Sequence, residues 1–248
     1  MAKNILISVA MTCYNQAQYV RDAIESVVKQ TYINWELVIV DDCSTDESLK
    51  VINQCVQKYN IKDKVRVISS DGNRGYGTSL GRAINESRGV LVAIVDSDDA
   101  LSCAESLGVC VKAHLDNPKV ALTYSNFIVC DDKLRPAKTI KTKQIKNYLK
   151  NKGKVSHLKV IKKELYNKTE GINPKLKQTV DKDLILKMEE VGALLHVDKE
   201  LYYYRKHGEN LSLSLHKKTK PYQKFVRDMK KQIYDEARNR RKSKKPRR

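Results

Sequence analysis

Asp96-Ser97-Asp98-Asp99 is the densest group of reactive side chains in this 248-residue chain. It directly follows Val-Leu-Val-Ala-Ile-Val at 90–95, an apolar run that reads as a buried strand. Three carboxylates at the tip of a buried strand repel one another unless a cation sits among them. Strand alternation would point Asp96 and Asp98 the same way. Two such carboxylates suit a hard divalent ion, Mn²⁺ or Mg²⁺, shared with substrate phosphates. The alternative is a solvated turn whose acids cap a helix starting near Ser102. The tetrapeptide alone leaves both readings open.

The elements that would position these acids repeat a simple pattern. Strand-like runs at 5–11, 35–40, 65–69, 90–95 and 120–129 alternate with helical stretches at 17–30, 44–59 and 102–117, and with one that ends near Ser87. Apolar residues at 20, 23, 24, 27 and 28 make the first helical stripe, and Ser44-Thr-Asp-Glu47 reads as a capping box. Strands alternating with helices predict an α/β fold, a Rossmann-like, mainly parallel sheet flanked by helices. Ligands of such sheets bind beyond the carboxyl ends of the strands. Asp41-Asp42 and Asp96–Asp99 both fall there.

Beyond residue 130 the alternation fails. Residues 133–154 are lysine-rich with few apolar positions and are expected to include a mobile loop, and 155–167 read as a short strand and helix. A helix follows at 179–191, then two short strands at 194–197 and 201–204. A basic helix is predicted from about Lys220 to Arg241, with 242–248 disordered. No internal repeat is visible.

Charge sharpens the division. The chain carries a net charge of +19, yet residues 1–132 hold 13 Lys/Arg against 17 Asp/Glu. The excess lies in residues 133–168, with 13 against 1, and in 216–248, with 15 against 3. No apolar run approaches the roughly 20 residues that span a bilayer. The first residues turn polar at Thr12 and read as a strand, not a signal peptide. The six cysteines form no Cys-x-x-Cys pair and read as reduced thiols of a cytoplasmic protein.

Six motifs in order then give the chain a likeness. They are Ser8-Val-Ala-Met-Thr-Cys-Tyr-Asn15, Leu37-Val-Ile-Val-Asp-Asp-Cys-Ser-Thr-Asp46, Asn73-Arg-Gly75, Asp96-Ser-Asp-Asp99, Gly171-Ile-Asn-Pro174 with Val180-Asp-Lys-Asp-Leu184, and Tyr204-Arg-Lys-His207. Together they resemble the family 2 inverting nucleotide-sugar glycosyltransferases, over about residues 5–215. The resemblance implies a GT-A fold with a nucleotide-sugar half at 1–130 and an acceptor-side half at 131–215; the basic C-terminal helix and tail at 216–248 lie outside it. It places Thr12, Tyr14 and Asn15 against the nucleotide base and ribose. It gives Asp42 the base's imide N–H, which favours uracil, and Arg74 the diphosphate or base. Asp96 would contact ribose or donor sugar, with Ser97 beside it. Asp96, Asp98, Asp99 and His207 would form the metal set for Mn²⁺ or Mg²⁺. Asp181 aligns with the family's general base, although the glutamate that normally precedes it is Val180 here. Asp183 is the fallback base, Arg205 a partner for phosphate, and His157 a floor for the sugar pocket. His114, His196 and His216 read as structural.

The resemblance implies inverting transfer from a nucleotide sugar, a UDP-sugar by the Asp42 argument, to an acceptor hydroxyl. A saccharide or lipid-linked saccharide is the expected acceptor. The basic segment 216–248 could hold the enzyme at the inner face of an anionic membrane, or could hold DNA or RNA and make nucleic acid the acceptor. Two other readings compete. A nucleotidyltransferase would want a lysine-bearing glycine-rich loop near the N-terminus, and residues 12–18 have none. A nucleic-acid-binding protein on an inactive transferase fold would not need an intact set of carboxylates.

Overall fold

Strands β1 (Ile7–Cys13) and β2 (Trp35–Asp41) are buried almost residue by residue, because helices cover both faces of the sheet they begin. The computed structural model describes residues 4–208, 210 and 219–243. After β1 come α1 (Val20–Val28), β2, α2 (Ser48–Lys58), β3 (Val65–Ser69), α3 (Tyr76–Glu86) and β4 (Leu91–Ile94). Val20, Ala23, Ile24 and Val27 of α1 are buried, four of the five residues of the expected stripe. β3, β2, β1 and β4 lie side by side, all parallel.

The second half makes the sheet mixed. β5 (Ala100–Leu101), α4 (Ser106–Asp116), β6 (Val120–Cys130), β7 (Pro136–Ile140), α5 (Tyr148–Asn151), β8 (Lys159–Lys162), α6 (Lys163–Tyr166), α7 (Val180–Glu189) and β9 (Ala193–Arg205) follow. The order runs β3-β2-β1-β4-β8-β6-β9-β5, with β7 also on β6. β8 is antiparallel to both β4 and β6, while β9 runs parallel to β6.

Two expectations need correction here, and one strand was not foreseen in the lysine-rich stretch 133–154. That stretch holds β7, whose backbone pairs with β6 while residues 136–139 stay exposed, so no apolar alternation marked it. The two short strands at 194–197 and 201–204 are one strand, β9, whose register against β6 shifts near Ser125 and Asn126. Ser44 does not cap α2. The helix starts four residues later, and Asp46 accepts from the Ser48 N–H at 2.9 Å and from the Ala17 N–H at 3.0 Å.

The basic C-terminal helix, α8 (Lys220–Ser243), is also more than a tail. Ile233, Tyr234 and Ala237 are buried in the same core cluster as Leu184, Ile185 and Met188 of α7. Arg240 pairs with Glu190 at 2.9 Å and Arg241 with Glu189 at 2.6 Å. The division at residue 215 therefore does not separate α8 from the packed core. His216 and residues 244–248 lie outside the described residues.

Candidate active site

β4 ends at Ile94, and residues 96–99 form a turn in which the Asp99 N–H donates to the Asp96 carbonyl at 3.1 Å. Strand alternation does not reach these residues, so the argument that Asp96 and Asp98 share a face fails. The turn divides the acids. Carboxylate oxygens of Asp96 and Asp99 and a ring nitrogen of His157 lie within 4.8 Å of one another. Asp98 turns instead to His207, whose Nε2 donates to its Oδ2 at 2.9 Å, and to Asn210, whose amide is 3.4 Å away.

Two tyrosines fix Asp96. The Tyr76 hydroxyl donates to its Oδ1 at 3.3 Å, and its own N–H donates to the Tyr202 hydroxyl at 3.0 Å. Burial, with Asp98 beside it, pushes the Asp96 carboxyl up to about 6, while Lys159 acts against the rise. Burial, Asp98 and Asp96 also raise Asp99. Clustered carboxylates held above their usual range are what a divalent ion relieves. The donor chemistry fits such an ion. Asp96 and Asp98 are part-exposed, and the buried Nδ1 of His207 has no partner among the described residues. Asp99 fits less well: it is 1% exposed and accepts from the Arg205 N–H at 2.8 Å.

Arg205 does not wait for phosphate, as expected of it. It is buried, and its guanidinium donates to the Asp98 carbonyl at 2.7 Å, to the Asp132 carbonyl, and to the Asp22 carboxylate at 2.7 Å. It braces the acidic turn from beneath. Ser97 is buried too, at 4% exposure. His157 stacks on Tyr202 at 4.6 Å and on Tyr204 at 5.6 Å. Burial, Lys159 and Lys154 hold its imidazole well below the ordinary range, so it is neutral, with Nδ1 4.0 Å from Asp96.

At the β2 end, Asp42 is buried and accepts from the N–H groups of Arg74 and Gly75, each at 2.8 Å. Gly75 has φ +86, a conformation that favours glycine, and α3 starts at the next residue. Asp42 thus fixes the loop that delivers Tyr76 to Asp96. The Arg74 side chain is exposed and pairs with Asp71 at 2.8 Å. Asn15 is a loop clamp, accepting from the Thr45 N–H at 2.8 Å and donating its own N–H to Ser44 at 3.0 Å. Thr12 is part-exposed, and Tyr14 is exposed beside it.

The acceptor side is set by the first turn of α7. Val180 packs on α3, where its Cγ2 would lie 3.2 Å from a Cβ placed on Gly77. Asp181, one residue on, is part-exposed; burial, then Asp96 and then Asp181 raise the Tyr76 hydroxyl, and Asp181 adds a little to the burial and the Asp98 charge that raise Asp96. Asp183 points elsewhere. It is 1% exposed and pairs with Lys187 at 2.8 Å, while Lys187 also donates to the Gly171 carbonyl at 2.8 Å. A carboxylate locked in that pair cannot reach an acceptor, so the fallback base is withdrawn. Sequence reasoning missed Tyr76, Tyr202, Lys159 and Asn210. Tyr76 carried a signal, as the first helical residue after the Asn73-Arg-Gly75 loop.

A parallel half-sheet ending in paired acids, with antiparallel strands closing the acceptor side, is the architecture of a GT-A transferase. The chain belongs to the family described as Glycosyl transferase family 2, which matches residues 8–169. Chondroitin synthase and hyaluronan synthase of Pasteurella multocida are each 29% identical to it over 210 residues. Each match covers 84% of this chain, which spans about a fifth (21%) of their length. Among solved structures, S. aureus TarS 1-349 in complex with UDP-GlcNAc superimposes with a TM-score of 0.69 at 25% identity. That match covers 85% of this chain and 61% of the TarS fragment. Family membership sets the nucleotidyltransferase reading aside.

Proposed function

We propose that this chain transfers a sugar from a UDP-sugar to a saccharide hydroxyl, with inversion at the anomeric carbon. The observation that carries the reading is the part-exposed Asp181 in the first turn of α7, which packs through Val180 on α3, the helix whose Tyr76 donates to Asp96 of the acidic turn. Relatives named for polysaccharide synthesis and a UDP-GlcNAc complex of the same fold support it. In-line displacement needs one base, and Asp181 accepts the proton of the attacking hydroxyl. Asp42 holds the Arg74–Gly75 loop and has acceptor capacity left for the imide N–H of uracil. Thr12 and Tyr14 flank the base and ribose. Asp96 and Asp98, with His207, would hold Mn²⁺ or Mg²⁺, which supplies positive charge against the diphosphate leaving group. Arg205 and Tyr202 keep the turn in place before substrate arrives.

Incubating the chain with a panel of UDP-sugars, a divalent ion and oligosaccharide acceptors, and reading the product by NMR, tests the proposal. A new glycosidic bond of inverted anomeric configuration is expected. Retention of configuration, or no transfer with any donor, would overturn it.

A further inference from the structure

We infer that a basic cleft beside Asp181 binds an anionic saccharide chain, the growing acceptor. The inference deepens the glycosyl-transfer reading and rests on it. Lys152 at the end of α5, Lys182 in the first turn of α7, and Arg227, Lys230, Lys231 and Arg238 on α8 line one cavity of about 360 Å³. Tyr234 also lines it, with Lys152 over its ring at 5.2 Å. No acid lines the cavity. Arg238 is paired with Asp235 at 2.5 Å, and the other five cations have no carboxylate within ion-pair distance among the described residues. Unpaired cations around one concavity are a site for a polyanion.

Position assigns the occupant. Lys182 directly follows Asp181 in the first turn of α7, and Tyr234 is buried in the same core cluster as Val180, so the cleft opens at the end of α7 that carries the base. The donor elements, Asp42 and Asp96, sit at the β2 and β4 ends instead. What enters here reaches Asp181 as an acceptor must, with a hydroxyl proton to give up. The volume falls in the range of ligand pockets, roughly 300–1,000 Å³, and suits a few sugar units. A duplex, wider than its own groove of roughly 12 Å, does not enter it. A membrane meets flat or convex surfaces, while these cations line a concave wall.

The test uses the full chain without donor or metal. Fluorescence anisotropy measures a labelled hexasaccharide of alternating glucuronic acid and N-acetylglucosamine, and the same hexasaccharide with its carboxyls reduced to alcohols. The acidic form should bind, and salt should weaken it. Lys230→Gln with Lys231→Gln should weaken it about tenfold. Both lysines are exposed, and unchanged UDP affinity in the variant shows that the fold persists. Equal binding of the reduced hexasaccharide, or unchanged affinity in the variant, overturns the inference. So does a lysine-dependent preference for a single-stranded oligonucleotide or for phosphatidylglycerol vesicles. Wild-type protein that binds no UDP counts against the glycosyl-transfer reading, while the hexasaccharide affinities still decide this one.

Discussion

Two aspartates two positions apart on α7 meet opposite environments. Asp181 is part-exposed, whereas Asp183 is buried and closed on Lys187. Asp181→Asn should keep UDP binding and lower transfer by about 10²–10⁴, the usual worth of a general base. Asp183→Asn should instead lower stability by about 1–3 kcal/mol, because it leaves the buried Lys187 ammonium with only the exposed Glu170 carboxylate, 3.8 Å away, as counter-charge. Thermal melts and initial rates on both variants separate the roles; a stable, inactive Asp183→Asn would reverse the assignment. At the donor side, Asp98→Asn should abolish metal-dependent UDP binding with the fold intact, read as UDP affinity with and without Mn²⁺. Equal affinities in the wild-type protein would remove Asp98 from the metal set. The carboxylates of this site were legible because acids at apolar strand ends are rare and costly. Tyr76 and Tyr202 were not, since their hydrogen bonds with Asp96 join residues 20 and 106 positions apart.

Among the elements, those with a two-sided or one-sided apolar pattern could be read from the sequence. α1, β2 and β3 fall within a few residues of their expected bounds because burial dictates their composition. β7 could not, because its hydrogen bonds to β6 involve no side-chain pattern. The junction of α4 with β8 gives a pH test. His114 on α4 lies with Nε2 3.2 Å from the Val160 carbonyl, and its Nδ1 has no partner among the described residues. Burial pushes its imidazole from 6.5 down to about 4. As pH falls, the unfolded chain therefore takes up the proton before the native state does. The contribution is nil above about 6.5, grows against folding between about 6.5 and about 4, and levels off below. At about 1.4 kcal/mol per pH unit the full loss is about 3 kcal/mol. Urea unfolding at pH 7 and pH 5 should show the fall, and His114→Leu should flatten it. An unaltered pH slope in that variant would mean that another group carries the effect.

For the molecule as a whole, the two basic segments prove to be neighbours. Lys152 belongs to the first and α8 to the second, and both meet at the first turn of α7. Sequence showed the charge of each but not their convergence, because the packing that joins them rests on a few apolar residues in a strongly polar helix. Ile233 and Ala237 are fully buried, and Tyr148 stacks on Tyr234 at 6.3 Å. Glu189 of α7 accepts from the Tyr148 and Leu149 N–H groups and from Arg241, tying α5, α7 and α8 at one carboxylate. α8 therefore supports the helix that carries Asp181, and loosening it should affect chemistry as well as location. Ile233→Ala removes a buried side chain from that contact and should cost about 2–5 kcal/mol. Some of that loss should appear as local opening of α7, so turnover should fall while UDP affinity, proposed to be set at the β2 and β4 ends, stays the same. Hydrogen exchange of the α7 amides, measured beside kcat and UDP affinity, checks the link. Lower stability with unchanged α7 exchange and unchanged kcat would show that α8 only covers the core and does not hold the base.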